Sequence, residues 1–154
     1  MVKNAEIYSG YMDSPLGILE IVCSNEALLS IKYAEKAGGN RANALVEDVF
    51  AQLREYFYGG RKIFDLPLKL SGTEFQKQAW QELLNIPFGE TISYKEQANR
   101  VGMPKAIRAI GSANGKNKIN IVIPCHRVIG QSGKLVGYSG GLSRKEWLLN
   151  AEKN

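Results

Sequence analysis

Histidine and cysteine are scarce in this chain, with one His and two Cys among 154 residues. Two cysteines are too few for a disulfide framework. With a single histidine they cannot assemble a typical structural zinc site either, so no metal is assigned. No apolar run approaches the roughly 18 residues of a membrane helix, and no basic-then-apolar leader opens the sequence. The expectation is a soluble, cytoplasmic protein with reduced thiols and no membrane partner. Internal repeats and low-complexity stretches are missing as well, which removes repeat architectures. What remains is 44% hydrophobic and 23% charged, enough apolar material for a real core in one domain or two small ones.

The net charge of +5 is unevenly placed. Residues 1–70 carry 8 Lys/Arg against 9 Asp/Glu, whereas residues 71–154 carry 12 against 6. Only the second half is basic. That suits a polyanionic partner, nucleic acid first, as well as it suits an ordinary lysine-rich surface.

Strand signals open the first half. "EIYSGYM" runs into the turn "DSPLG", after which "ILEIVCS" alternates with Leu19, Ile21 and Cys23 on one face, and "ALLSIKYA" follows as a third strand. From Asn43 the period changes to that of a helix, with Leu45, Val46, Val49, Phe50, Leu53, Tyr56 and Phe57 on its stripe and Gly59–Gly60 at its end. "KIFDLPLKL" is extended, and Pro67 makes it an edge or a linker. In the second half, Thr73-x-x-Gln76, Ser93-x-x-Glu96 and Ser143-x-x-Glu146 each predict a helix start, the last with Leu142 and Trp147 as a hydrophobic staple. Pro104 is placed as a first helical residue opening "PKAIRAIGSAN". The two helices on either side of Gly102 read as a helix-turn-helix. "INIVI" reads as a strand, and "VIGQSGKLVG" as a hairpin turning at Ser132–Gly133, where a winged helix-turn-helix has its wing.

Two features carry chemistry. Cys125 and His126 stand side by side in "IVIPCHRVIG", a nucleophile next to a base by residue type. A free thiol with a pKa of ~8.5 needs a base or positive surroundings to react. Neighbours on an extended strand point to opposite faces, however, so direct contact is not expected. Cys23 reads as a buried small hydrophobe. The second feature is the helix with small Ala106, Ala109, Gly111 and Ala113 around a single Arg108. Such a face suits minor-groove approach and base extrusion better than base reading, and it equally suits packing against another helix. On the residues alone, a thiol hydrolase using Cys125–His126 and a winged-helix regulator without chemistry both stay open. Multiple turnovers would mark the first, and selective binding of undamaged duplex the second.

Taken together, "RAIGSANGKN", "IPCHRV" and "GYSGGLSRKEWLL" closely resemble the O6-alkylguanine-DNA alkyltransferases, also called methylated-DNA–protein-cysteine methyltransferases. The resemblance runs from about Phe75 to the end, and more loosely through "SPLGILEIVCS". It implies an α/β (α+β) chain with a ribonuclease H-like supporting domain over residues 1–70 and a winged helix-turn-helix over 71–154 that holds the cysteine. It also implies a monomer, without a cofactor, that binds double-stranded DNA containing O6-alkylguanine, flips the base through the minor groove, and transfers the alkyl group irreversibly to Cys125, once per molecule.

Residue roles follow from the same resemblance. Cys125 and His126 communicate through one water, and Glu152 orients the imidazole. Tyr94 donates to guanine N3. Arg108 fills the space of the extruded nucleotide, while Ala106, Ala109 and Gly111 lie along the groove. Asn117 fixes the turn before the cysteine, Val128 lines the pocket through its backbone, and Tyr138 and Ser139 close over the base. Arg127 belongs to the motif as either an ion pair or a phosphate contact. Two departures stand out: Lys118 where many relatives have Pro, and Ile107 where some have a small residue. Relatives that only bind lesions replace the cysteine, and this chain keeps it.

Overall fold

The computed structural model describes residues 6–153. The first five residues of the expected N-terminal domain, and Asn154, lie outside them. The chain divides into two compact units, residues 1–69 and 70–154.

The first unit is an antiparallel meander covered by one helix. Strands β1 (Tyr8–Ser14), β2 (Gly17–Cys23) and β3 (Leu28–Ala34) are ordered β1-β2-β3. The Ser14 hydroxyl donates to the Gly17 carbonyl at 2.7 Å and accepts from the Leu16 N–H at 3.1 Å, which closes the first turn. Leu19, Ile21 and Cys23 are fully buried, as their alternation requires. Helix α1 (Ala44–Tyr58) covers that face with Val46, Val49, Phe50 and Leu53. Each such side chain contributes roughly 1.5–3 kcal/mol by leaving water. Asn43 caps the helix by accepting from the Val46 N–H at 2.9 Å. At Gly10 the helix comes so close that a Cβ would lie 2.5 Å from the Phe50 ring, so this strand position requires glycine. Pro67 sits at an edge, where its carbonyl accepts from the Leu28 N–H at 2.7 Å.

The second unit packs α2 (Glu74–Leu83), α3 (Tyr94–Val101) and α4 (Ile107–Gly115) around Ala79, Ala98, Ile110 and Ala113. Alanines at the crossing let the helices approach closely. A reciprocal capping box starts α2, with Thr73 and Gln76 each bonding the other's backbone. Ser93 starts α3, and Gly102 ends it in the left-handed conformation at φ 82°. A two-residue strand β4 (Ile92–Ser93) pairs in parallel with β5 (Val128–Ile129), and α5 (Leu142–Lys153) follows.

Four expectations are corrected here. Pro104 is not the first helical residue, because residues 104–105 form a turn and α4 begins at Ile107 with no side-chain cap. "INIVI" is no strand but a buried turn. The wing's turn exists, with the Gly130 N–H donating to the Lys134 carbonyl at 2.7 Å. Among the described residues, however, no strand pairs back from it, and β5 pairs with β4 instead. Ser143 lies inside α5, whose first-turn bond runs from the Lys145 N–H to the Gly141 carbonyl at 3.2 Å; Gly141 at φ 92° makes the entry.

Candidate active site

The site is built outward from Asn117, just past α4. Its side-chain oxygen accepts from the Ile119 N–H at 3.0 Å. Its amide donates to the Ile123 carbonyl at 2.8 Å and to Cys125 Sγ at 3.3 Å. One buried side chain thus engages two backbone groups of a turn that also holds itself through the Ile123 N–H to the Ile119 carbonyl at 3.1 Å. The turn includes Ile121 at φ 74°. A β-branched residue in the left-handed region costs of order 1–3 kcal/mol and persists only where its surroundings fix it. Ile119, Ile121 and Ile123, each at most 2% exposed, supply that fixation.

After Pro124 the chain enters a 3₁₀ turn, Cys125–Arg127, rather than an extended strand. At three residues per turn, successive side chains leave about 120° apart. Cys125 lines a cavity with Tyr94, Gly111, Asn114, Gly115, Gly137 and Tyr138. His126 is fully buried, and Arg127 is only 7% exposed.

Glu152, in the last turn of α5, joins the latter two. His126 Nε2 lies 2.8 Å from one carboxylate oxygen. Arg127 donates to both oxygens, at 2.8 and 3.1 Å, and to the Ile86 carbonyl at 2.8 Å. Of the two roles open to Arg127, the structure shows the ion pair. Burial pushes the Glu152 carboxyl upward, but the hydrogen bonds from His126 and Arg127 outweigh it and hold its pKa at about 2. Burial lowers the His126 pKa despite Glu152, so the imidazole is neutral. An ionised carboxylate facing Nε2 can only accept, so Nε2 carries the proton. Among the described residues none bonds Nδ1, which keeps its lone pair and can act as a base.

Cys125 is held as a thiol, since burial raises its pKa against the downward pull of the Asn117 amide and of Lys145. Tyr94 is raised too, by burial and then by Cys125; its hydroxyl donates to the Val136 carbonyl at 3.0 Å.

Of the expected residues, Asn117 bonds Cys125 and Glu152 bonds His126, two pairs that adjoin along the 3₁₀ turn, and Tyr94, Gly111 and Tyr138 line the cavity with Cys125. Arg108 and Ala109 are exposed on α4, with Ala106 half-buried at its N-cap. Ser139 is exposed beside Tyr138 and is not among the lining residues. The Val128 carbonyl is engaged by Lys145.

Sequence reasoning passed over Lys145. It is fully buried, and its ammonium donates to the carbonyls of Val128, Val136 and Gly137 at 2.6, 2.9 and 3.2 Å. Burial lowers its pKa to about 8, against the opposing pull of Cys125. A signal existed: Lys145, Leu148, Leu149 and Glu152 fall at i, i+3, i+4 and i+7, one face of a helix, and all four are buried. Asn114 was also missed. It lines the cavity and exchanges two hydrogen bonds with Gln97, at 2.7 and 2.9 Å.

Comparison with known proteins covers both units. The family description "6-O-methylguanine DNA methyltransferase, ribonuclease-like domain" matches residues 7–70, and "6-O-methylguanine DNA methyltransferase, DNA binding domain" matches residues 74–154. The chain is 45% identical over 154 residues to the methylated-DNA–protein-cysteine methyltransferase of Mycobacterium leprae (strain TN), covering 96% of this chain and 93% of that one. Its counterpart from Methanosarcina barkeri is 41% identical, with 96% and 98% covered. Among solved structures, the O6-methylguanine methyltransferase of Mycobacterium tuberculosis superposes with a TM-score of 0.88 at 42% identity, covering 96% and 93%. Mycobacterium tuberculosis OGT in complex with DNA superposes with a TM-score of 0.86 at 44% identity, covering 93% and 91%.

Proposed function

Because the chain belongs to the 6-O-methylguanine DNA methyltransferase family, we propose that it repairs O6-alkylguanine in double-stranded DNA by moving the alkyl group, chiefly methyl, onto its own Cys125. The observation that carries this reading is one thiol on a cavity wall, backed by a neutral histidine whose free nitrogen is set by a buried carboxylate.

Helix α4 lies along the minor groove on its small residues Ala106, Ala109 and Gly111. The damaged nucleotide is flipped out at a cost of a few kcal/mol, and Arg108 takes its place. The base enters the cavity beside Tyr94 and Tyr138. The Cys125 proton passes through one water to His126 Nδ1, so the nearness of the two residues serves without direct contact. Glu152 steadies the imidazolium that forms, and the Asn117 amide donates to the thiolate. Sulfur attacks the alkyl carbon in line as the carbon–O6 bond breaks. Negative charge passes to the guanine, where the Tyr94 hydroxyl donates to N3 and Ser139 to O6, the tyrosine having left the Val136 carbonyl. Lys145 adds positive charge beside the sulfur. The product is a thioether that neither water nor thiol readily reverses, so each molecule acts once, with no cofactor. We read it as a cytoplasmic monomer; among the described residues no helix is long and apolar enough to cross a membrane.

Incubation with a duplex carrying one O6-methylguanine tests this directly. Intact mass should rise by one methyl in place of hydrogen, mapping to the Cys125 peptide and absent from Cys125→Ala. Unmodified protein beside unrepaired DNA refutes the proposal, and turnover beyond one methyl per molecule would return the chain to the hydrolase reading.

A further inference from the structure

One stripe of α4 leads into the cavity. Residues 107, 111, 114 and 115 are spaced i, i+4, i+7 and i+8 and therefore share a side of the helix. Gly111, Asn114 and Gly115 line the cavity around Cys125. Ile107, at the outer end of the stripe, is not among the lining residues and is 40% exposed. At 1.5 Å of rise per residue it stands about 6 Å from Gly111 along the helix axis. The other exposed positions of the helix are Arg108, Ala109, Ser112 and Gly115. Two large side chains thus leave the first turn next to one another, one cationic and one apolar, on a helix that is otherwise short-sided towards solvent. A single exposed isoleucine is ordinary on a protein surface. One that shares a helix side with three residues lining the cavity of a buried thiol, beside the only arginine of that helix, is in a position to act on the DNA around that cavity.

We infer that Ile107 is an apolar wedge in the extrusion of the damaged nucleotide. It presses against the base step flanking the lesion while Arg108 occupies the vacated place. Minor-groove proteins unstack base steps with side chains of this type. A β-branched residue on a helix keeps essentially one χ1 rotamer, so little freedom is lost when it inserts. The inference rests on the reading of Cys125 as the acceptor for alkyl groups from duplex DNA. An Ile107 that merely held the helix away from the groove floor would act with the opposite sign, and its truncation would speed repair.

The test measures methyl transfer to Cys125 in the full chain, from an O6-methylguanine duplex and from free O6-methylguanine base, at two salt concentrations. For Ile107→Ala the ratio of duplex to free-base rates should fall about tenfold, the loss expected for one buried aliphatic side chain. Ile107→Met, which keeps the apolar reach, should recover most of it. The deficit should be the same at both salts, because an apolar contact releases no counterions. With 2-aminopurine beside the lesion, the fluorescence rise that reports unstacking should shrink in Ile107→Ala. A ratio that is unchanged or higher in Ile107→Ala, while the parent protein transfers normally, overturns the wedge. A parent protein that takes no methyl from the duplex overturns the acceptor reading instead.

Discussion

Glu152 illustrates how one side chain sets the chemistry of another. Its carboxylate meets two partners that differ in kind: Arg127 fixes its charge, and His126 receives the consequence of that charge as a defined tautomer. Glu152→Ala leaves a buried guanidinium without its counter-charge, which should cost about 3–5 kcal/mol in urea denaturation. Single-turnover transfer should slow by roughly 10² or more, because the base loses its orientation. Glu152→Gln keeps a neutral acceptor and should fall between the two. The folded pKa of about 2 lies below the ordinary 4.5. The contribution to stability is therefore complete above pH 4.5 and is lost as pH falls towards 2, an effect of roughly 3 kcal/mol. His126, lowered from 6.5 by burial, has the same sign and begins to act as pH drops below 6.5. Urea midpoints measured from pH 7 down to 2 should decline across both ranges; a flat profile would contradict the buried cluster.

Helix α5 brings two charged members of the site, Lys145 and Glu152, from a single face. Lys145 ties β5 to residues 136–137 through three carbonyls, and Glu152, seven residues on, reaches the 3₁₀ turn. Lys145→Met should release that tie. Amide exchange across residues 130–139 should accelerate and transfer should slow, while exchange in β1–β3 of the first unit stays as it was. Elements governed by neighbours in sequence were legible beforehand. The meander, the helical stripe of α1, and the starts of α2 and α3 all rest on alternation, periodicity or bonds within four residues. "INIVI" misled because β-branched composition fits a buried turn as well as a strand. The turn exists through Asn117, whose bonds to Ile123 and Cys125 span six and eight residues. Ser143 misled for a related reason, since Gly141 had already turned the chain into the helix. Lys145 was passed over because its burial depends on an inner face that α5 acquires only by packing. Cys125 and His126 stood out as neighbours in sequence, whereas Glu152 was legible only through resemblance, because 26 residues separate histidine from carboxylate.

On the scale of the whole chain, charge and chemistry fall on the same half. Residues 71–154 hold 12 of the 20 Lys/Arg and only 6 of the 15 Asp/Glu, and the buried thiol of the site lies among them. If four of these cations meet phosphates, raising salt from 50 to 200 mM should weaken duplex binding about 100-fold, with a proportionate loss in the transfer rate below saturation. Transfer from the free base should barely respond. Order along the chain has a further effect. Cys125 precedes Glu152, the carboxylate that fixes the His126 tautomer, and Glu152 lies on α5, the last described helix of the second unit. A ribosome delivers segments in sequence, so the thiol emerges before α5 can fold against it. Until that helix is released and docks, His126 lacks its tautomer, Arg127 lacks its counter-charge, and the nascent chain carries a cysteine with no base prepared for it. On the proposed reading of Cys125 as a single-use acceptor, the thiol is thereby kept from being spent during synthesis.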